Sequence, residues 1–284
     1  MCHTHWTRPL AMAGLGVLLA TAGAPGAAFA GIQLQPHRAV YDLGLTDTSQ
    51  AAGMSAVRGR MVYEFTGNAC EGYSVAFRFV TQVADEGGNS RVTDLQTSSF
   101  EEPAGKSFQF LSKTFINQQL SEETQGRAER TDGGIDIDVK KPKENQVALK
   151  RKVLFPTEHL ITLLGRAQEG ETIFVADLFD GSETGEKVYE TTAVIGPRRE
   201  GAGDVGRDAE AAVGEIGASA HWPVTISYFD ETKGDGGERT PIYQLSFLLY
   251  DNGVSRRLVL DYGDFELRGN LVEMTPMTAS ECKQ

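Results

Sequence analysis

The chain has 284 residues and carries 39 acidic against 27 basic side chains, a formal net charge of −12 at pH 7. A chain this acidic repels nucleic acid and anionic lipid headgroups unless a local basic patch dominates. We therefore expect no nucleic-acid partner. One short basic cluster lies among strand-like residues, and we interpret it as a solvated sheet edge, where lysines block unwanted strand addition. Its members are Lys140, Lys141, Lys143, Lys150, Arg151 and Lys152.

Residues 1–30 have the features of a signal peptide. Arg8 precedes an apolar run at residues 10–24, and a small-residue A-x-A site ends at Ala30. The run is short and broken by glycines, so a retained membrane anchor is the weaker alternative. We predict cleavage after Ala30 and an exported protein with no stable membrane insertion. Its formal charge would be −13, because Arg8 leaves with the leader and no acid does.

Cys70 and Cys282 are the two cysteines that follow the predicted leader. An even pair in an oxidising compartment is most simply a disulfide. Such a bond would close a loop of 213 residues, counted from Cys70 through Cys282, and a chain-entropy model gives it about 5 kcal/mol of stabilisation. The alternative is a reactive or metal-binding cysteine pair, which no neighbouring ligand cluster supports.

Most of the mature chain alternates apolar and polar residues, which is the period of a strand with one buried face. In the first such segment, for example, Ala39, Tyr41 and Leu43 share one face. Glycine, asparagine and aspartate turns separate the segments, which favours an antiparallel barrel or sandwich. The predicted strands include residues 39–45, 57–65, 73–83, 92–100, 108–116, 135–139, 172–178, 186–195 and 222–230.

Residues 155–170 are the exception, because they predict a helix. Pro156 suits the first helical turn and Gly170 suits the stop. The segment is otherwise so apolar that we expect the helix to pack inside the sheet or across its mouth. Five residues define this predicted core helix: Pro156, His159, Leu160, Leu163 and Leu164.

Residues 196–220 are rich in glycine, alanine and charge and show no strand period. We predict a flexible surface loop with a short helical piece around Ala209 to Val213. The strands on both sides are expected to belong to one sheet. Residues 31–284 are therefore predicted to form a single all-β domain.

Residues 241–269 predict an antiparallel meander. Apolar residues occupy every second position from Tyr243 to Leu249, and the alternation resumes after a turn. Asn252-Gly253 is the dipeptide that a type I′ turn prefers, because both central residues of that turn need positive φ.

The loop at residues 181–187 superficially suggests a phosphate-binding loop. Its two glycines are one residue too close for a Walker motif, and Glu186 rather than a glycine precedes Lys187. Ser182 does not lie in a G-x-S-x-G nucleophile elbow. We therefore interpret the segment as a turn between two strands.

Three histidines follow the leader, and no two of them have metal-ligand spacing. We interpret His159 as a satisfied, partly buried histidine rather than a catalytic one. The acidic pairs at residues 101–102 and 122–123, and Asp136 with Asp138, match no EF-hand and are assigned to the solvated face. The sequence therefore predicts no catalytic residue, no metal site and no cofactor.

Five segments resemble the EipB family of cell-envelope integrity proteins of Gram-negative alphaproteobacteria. They are HRAVYDLGL at residues 37–45, GRMVYEF at 59–65, FPTEHL at 155–160, LFDGSETGEKVYETTAVIG at 178–196 and SFLLYDNGVSRRLVLDYGDFELRG at 246–269. The last two are specific when found together. The family also has a cysteine near its second strand and one near its C-terminus, which correspond to Cys70 and Cys282.

The resemblance implies a mainly β, single-domain fold. This fold is an antiparallel, open barrel-like β-spiral of long strands around one central hydrophobic helix, Pro156–Gln168, closed by the Cys70–Cys282 disulfide. The resemblance also implies a periplasmic protein that maintains envelope integrity, with no known enzymatic activity or cofactor. The partner it suggests is a periplasmic tetratricopeptide-repeat envelope protein. It implies no role for residues 196–220, which are longer than the matching family segment.

Three functional hypotheses follow. The leading one is a non-enzymatic scaffold or binding protein of the envelope. The alternative is a periplasmic carrier of lipid or lipoprotein acyl chains in the barrel interior; besides the helix, its lining would be Phe77, Phe79, Phe108 and Phe110. The third is a hydrolase acting on envelope polymer, with His159 or Ser182 as its best candidates.

Overall fold

The computed structural model describes residues 31–48, 54–230, 239–279 and 282. The predicted signal peptide at residues 1–30 lies outside them. The strands are β1 His37–Thr48, β2 Met54–Asn68, β3 Gly72–Asp85, β4 Ser90–Glu101, β5 Ser107–Ile116, β6 Gln119–Thr131, β7 Gly134–Lys141, β8 Asn145–Leu149, β9 Ile173–Leu178, β10 Tyr189–Ile195, β11 Arg199–Glu200, β12 Ala220–Asp230, β13 Tyr243–Tyr250, β14 Ser255–Asp261 and β15 Phe265–Pro276. The α-helices are α1 Pro156–Gln168 and α2 Glu210–Gly214, and a 3-10 turn covers Pro103–Gly105.

The strands form one large antiparallel sheet in the order β8-β7-β6-β5-β4-β3-β2-β1-β15-β14-β13-β12-β10-β9, and the short β11 pairs with β12. Strands β1 to β8 are a meander, and the pairing of β1 with β15 joins that meander to the C-terminal strands. The edge strands β8 and β9 follow each other in sequence, and they are not paired with each other. The sheet is therefore not closed, which confirms the predicted open, barrel-like antiparallel fold.

The period-2 pattern decides which side chains enter the core. On β12, Trp222, Val224 and Ile226 are buried, whereas the residues between them are half-buried. The principal core joins such inward-facing residues of β1, β2, β9, β10 and β12 to β15 with Leu163 and Leu164 of α1. Each fully buried side chain of this size contributes about 1.5–3 kcal/mol to folding. Burial of alternate residues thus fixes the inner face of the sheet.

Residues 196–220 differ from the predicted surface loop. The short helical piece is present as α2, but Ala212 and Val213 of that helix and Ile216 after it are buried in the principal core. The Ala209 N–H also donates to the Leu271 carbonyl of β15 at 2.8 Å. The second half of this segment therefore packs against the sheet, because its small and branched apolar residues share one face.

The β13–β14 turn is not the type I′ turn that Asn252-Gly253 predicts. Gly253 has φ of +85°, whereas Asn252 keeps a negative φ. The Gly253 N–H donates to the Tyr250 carbonyl at 2.9 Å, and the Tyr250 N–H donates to the Val254 carbonyl at 2.9 Å. This is a three-residue connection in which glycine takes the left-handed position after a type I turn. The dipeptide marks the hairpin correctly but not its geometry.

A disulfide joins Cys70 and Cys282, whose Cα atoms are 5.7 Å apart. Cys70 lies in the β2–β3 turn, where the Asn68 side chain accepts the backbone N–H groups of Cys70 at 2.8 Å and Glu71 at 2.9 Å. Such an Asx turn fixes the direction of the cysteine. The predicted pairing is confirmed, and it fastens a residue beyond β15 to an early hairpin.

Candidate functional site

Helix α1 lies in sequence between the two edge strands, β8 and β9. Just before it, the Leu154 N–H donates to the Asp177 carbonyl at 2.8 Å, and the Phe179 N–H donates to the Leu154 carbonyl at 3.0 Å. These bonds make a parallel bridge between Leu154 and the end of β9 at Leu178. The segment that leads into α1 is therefore attached to the edge strand β9.

The five residues of the predicted core helix lie at different depths. His159, Leu163 and Leu164 are buried, and both leucines belong to the principal core. Pro156 and Leu160 are half-buried. The helix thus presents one fully buried face to the interior of the sheet.

Glu101, the last residue of β4, caps the N-terminus of α1. Its carboxylate accepts the backbone N–H groups of Thr157 at 2.8 Å and Glu158 at 2.9 Å, which lack partners within the helix. Strand pairing sets Glu101 opposite Tyr73 and Phe108, and its side chain is only 5% exposed. The prediction that Glu101 lies on the solvated face is therefore wrong. The amide donors of the helix compensate for burying a carboxylate.

The environment of Glu101 changes its acidity. Burial raises the pKa of the Glu101 carboxyl to about 7, and the nearby Glu158 carboxylate acts in the same direction. The two amide hydrogen bonds from α1 act in the opposite direction. The cap is therefore a group whose charge changes near neutral pH.

Arg130 of β6 holds the start of the helix from the other side. Its guanidinium forms an ion pair with Glu158 at 2.6 Å and donates to the Gly105 carbonyl at 3.1 Å and the Val153 carbonyl at 2.5 Å. It also lies 4.5 Å from the centroid of the Phe155 ring, within cation–π range. Glu101 of β4 and Arg130 of β6 thus both bind the first turn of α1.

A second, smaller core lies beneath this first turn. Phe108 stacks on Phe155 at 5.4 Å between ring centroids, and Phe110 meets Phe179 edge-on at 5.7 Å. Phe108 is 2% and Phe110 is 6% exposed, so both are packed in this core, although Phe110 also borders a shallow surface groove of about 270 Å³. By contrast, the predicted lining residues Phe77 and Phe79 are only half-buried against the principal core.

His159 is a satisfied buried histidine, as the sequence indicates. The Thr191 hydroxyl donates to the Ala176 carbonyl at 2.8 Å, so it accepts the His159 Nε2–H at 3.0 Å. Burial lowers the pKa of His159 to about 4, which keeps the ring neutral at physiological pH. Ser182 instead donates to the Tyr189 hydroxyl at 3.1 Å. No hydrogen bond in the described residues joins His159 to Ser182, so these two do not form a nucleophile–base pair.

The loop between β9 and β10 uses its charged groups internally. Lys187 Nζ lies 2.5 Å from the Glu183 carboxylate and 3.0 Å from that of Asp230. The Tyr189 hydroxyl donates to Glu183 at 3.0 Å, and the Thr124 hydroxyl of β6 donates to the Glu183 carbonyl at 2.5 Å. The contacts of Glu183 with Tyr189 and Thr124 connect the loop to β10 and β6. Lys187 already has two carboxylate partners, so the loop is not arranged to bind phosphate.

A row of aromatic rings runs across the ends of β10 to β15. The ring centroids of Tyr228 and Tyr243 are 4.2 Å apart, and those of Tyr189 and Tyr228 are 6.2 Å apart. Beyond them, Tyr262 stacks on Phe265 at 4.8 Å and is 38% exposed. Such pairs add about 0.5–1.5 kcal/mol each beyond their burial. The row therefore stabilises this end of the sheet and leaves its last rings accessible.

Arg256 is a fully buried cation that is not among the predicted site residues. Its guanidinium pairs with Asp208 at 2.7 Å and donates to the Tyr250 hydroxyl at 2.7 Å. It also donates to the carbonyls of Ala202 at 2.6 Å and Asp204 at 2.8 Å. The sequence alternation on β14 does indicate its burial, because Arg256 lies on the same face as Leu258 and Leu260, two and four positions later.

This buried pair anchors the segment between β10 and β12. The second Asp208 oxygen accepts the Leu271 N–H at 2.7 Å, so one carboxylate joins β14, β15 and residues 202–208. Breaking a buried pair of this kind costs about 3–5 kcal/mol. The first half of the segment is thereby fixed on the sheet, although much of it is exposed.

Neither a metal site nor a membrane-spanning helix is found in the described residues. In that part of the chain, no group of three or more His, Cys, Asp or Glu side chains is arranged to hold a metal ion. No described helix is both long and apolar enough to cross a bilayer.

The fold and its contacts define an open, barrel-like antiparallel sheet that packs against a capped helix and whose tail is held by a disulfide. The chain belongs to the EipB-like family, which it matches over residues 28–278. It is 45% identical over 253 residues to the cell envelope integrity protein EipB of Brucella abortus strain 2308, covering 89% of this chain and 88% of that protein.

A solved structure shows the same fold. The crystal structure of a β-barrel-like protein of a domain of unknown function from Brucella abortus superimposes with a TM-score of 0.80 at 42% identity. The match covers 87% of this chain and all of that one.

Proposed function

We propose that this protein acts in the periplasm as a non-enzymatic scaffold or binding protein that maintains cell-envelope integrity. The observation that carries the proposal is the 45% identity, over most of both chains, to a relative named for that role. The disulfide supports a periplasmic location, because such bonds form and persist in oxidising compartments.

The non-enzymatic part of the proposal is supported by how the reactive groups are used. His159 and Ser182 have separate partners, and Lys187 and Arg256 are held by carboxylates. These groups contribute to structure, and no nucleophile–base pair is formed by the two best hydrolase candidates. Complementation by His159→Ala and Ser182→Ala variants would agree with this; loss of function in variants that still fold would favour the hydrolase hypothesis.

Gene deletion tests the envelope role. We expect a clean deletion strain to become sensitive to detergents and β-lactams, and the wild-type gene to restore resistance. Asp204→Ala and Asp208→Ala form a matched pair, because the Asp204 side chain is 84% exposed whereas the Asp208 side chain is 1% exposed beside Arg256. Only the first variant should complement fully. A deletion strain as resistant as its parent would contradict the envelope role.

The proposed partner is a periplasmic tetratricopeptide-repeat envelope protein. Support comes from the family resemblance alone. Crosslinking in intact cells followed by mass spectrometry should recover such a protein with the wild-type chain. Recovery of the same proteins from a deletion strain would contradict the proposal.

The second candidate function is a carrier of lipid or lipoprotein acyl chains in the barrel interior. It is favoured by the half-buried Phe77 and Phe79 on β3, which pack against the core without being enclosed by it. The packed Phe108 and Phe110 count against a lining that extends to β5. Lipid extraction and mass spectrometry of the purified protein test the candidate, since nothing co-purifying above background would remove it.

A further inference from the structure

The outer face of the sheet carries a row of residues that changes from apolar to cationic. Its members face one another in register on six neighbouring strands. Because neighbouring strands lie about 4.8 Å apart, the row spans about 24 Å. In sheet order from β9 to β15, the row reads Ile173, Val194, Thr225, Ser246, Val259 and Arg268.

The apolar end lies on the edge strand. The side chains of Ile173, Val175 and Val194 are 59%, 58% and 55% exposed. Beside them, Pro223 and Leu248 line a shallow groove of about 350 Å³ that leads toward the cationic end. Contiguous exposed apolar surface of this kind marks an interaction site.

The cationic end is a second groove of about 350 Å³. Its polar lining consists of three arginines, the amide of Asn270 and two carboxylates: Arg207, Arg257, Arg268, Asn270, Asp204 and Asp208. The Asp208 carboxylate is already neutralised by the buried Arg256. In the described structure Arg207 has no ion pair. The other two arginines have exposed or distant partners: Arg257 contacts Asp204, whose side chain is 84% exposed, and Arg268 lies 3.6 Å from Glu266. A stronger anion can therefore displace these carboxylates.

The two grooves are continuous and firmly built. Arg257 lines both of them, and its φ of +56° is an uncommon backbone conformation for arginine. The wall that carries Arg207 is held by the buried Asp208–Arg256 pair. Arg207 is far in sequence from Arg257 and Arg268, so the patch could not be predicted from a run of basic residues.

We propose that this face docks on a membrane surface that contains acidic phospholipids. Guanidinium groups bind phosphate in a two-pronged geometry, and basic side chains are attracted to anionic leaflets. The exposed β-branched side chains at the other end would enter the headgroup region. A chain of net charge −12 repels such a surface except where a local basic patch dominates. The docking is peripheral, and it deepens the proposed envelope function by naming the surface on which it is exerted.

Vesicle sedimentation tests the proposal. The purified protein should bind phosphatidylcholine–phosphatidylglycerol vesicles at least about tenfold more tightly than phosphatidylcholine vesicles. The double variant Arg207→Glu/Arg268→Glu should bind the mixed vesicles at least about 25-fold more weakly, since each arginine near an anionic surface contributes about fivefold and the new carboxylates add repulsion. Arg91→Glu is the matched control, because Arg91 is an exposed arginine on β4, outside the row.

A second pair of variants tests the apolar end. Ile173→Asp should weaken binding to the mixed vesicles about tenfold, whereas Leu120→Asp, at a residue that is 52% exposed on β6, should not. All variants change exposed side chains, so their thermal midpoints should match the parent and show that a loss is not unfolding.

Three outcomes would overturn the proposal. They are equal binding to both vesicle types, an equal loss in the Arg91→Glu control, and binding of inorganic phosphate by the groove without binding of vesicles. The last outcome would assign the arginines to a free anion instead. Because the assay needs no cells, failure here with a sensitised deletion strain would leave the proposed envelope function standing.

Discussion

Replacement of Glu101 by glutamine tests whether the cap of α1 titrates near neutral pH. The folded-state pKa of about 7 lies above the ordinary value of 4.5, so the folded protein binds this proton more tightly than the unfolded chain does. Between pH 4.5 and 7 the unfolded state therefore carries fewer protons at this group, and its contribution to stability falls as pH rises. A difference of about 2.5 pKa units corresponds to about 3 kcal/mol.

The Glu101→Gln variant should not lose stability at this position as pH rises, because glutamine stays neutral. The free energy of unfolding of the variant, relative to wild type, should rise by about 2.5 kcal/mol between pH 5 and pH 8, because part of the wild-type loss has already occurred at pH 5. The comparison must be made against wild type at each pH. The lowered pKa of His159 acts oppositely, adding stability as pH rises from about 4 toward 6.5, and it is common to both proteins.

Urea denaturation followed by tryptophan fluorescence at several pH values measures the difference. Glu102→Gln is the matched control, because the Glu102 side chain contacts Arg127 instead of the helix; its profile should follow wild type. If the Glu101→Gln profile also ran parallel to wild type from pH 5 to pH 8, the carboxyl would not titrate there and the reasoning would fail.

Three further changes probe the fold. Asp208→Ala should lower the free energy of unfolding by about 3–5 kcal/mol in guanidinium denaturation, because it leaves the buried Arg256 charge without its carboxylate. Asp204→Ala, at an exposed carboxylate, should lower it by under about 1 kcal/mol. Similar losses in the two variants would contradict the role of the Asp208–Arg256 pair as an anchor. Gly253→Ala should lower stability by about 1–3 kcal/mol, because Gly253 has φ of +85°, and an unchanged midpoint would argue against that turn. Cys282→Ser should lower the thermal midpoint and expose the tail to protease, with a loss of up to about 5 kcal/mol; an unchanged midpoint under oxidising conditions would refute a stabilising bond.

The sheet itself could be predicted because its signal is local. Alternation on segments such as 73–83 and 222–230 reports one buried face, and each strand pairs mainly with its neighbour in sequence. The helix Pro156–Gln168 was predictable for the same reason, since its proline start and apolar content lie within one segment. The disulfide could be predicted because only two of the three cysteines follow the predicted leader.

What escaped prediction depends on contacts between distant segments. Glu101 is buried only because the first turn of α1 lies above β4, and the sequence near Glu101 contains no sign of that helix. The alternation on β14 indicates that Arg256 faces the core, but its partner Asp208 is 48 residues away in sequence and could not be identified. The geometry of the Asn252-Gly253 turn was missed because the same dipeptide serves two hairpin types.

The pairing of β1 with β15 has a consequence for biosynthesis. In the folded sheet Ala39 of β1 pairs with Met274 of β15, and Leu43 pairs with Gly269. β1 is synthesised first, but one of its edges can pair only after β15, the last strand, has been made. Until then β1 has one bare backbone edge, and its Val-, Tyr- and Leu-rich segment invites pairing with other chains. A chain can assemble the β1–β8 meander early, so truncation before residue 265 would remove β15, leave the edge of β1 unpaired and make the product prone to aggregate.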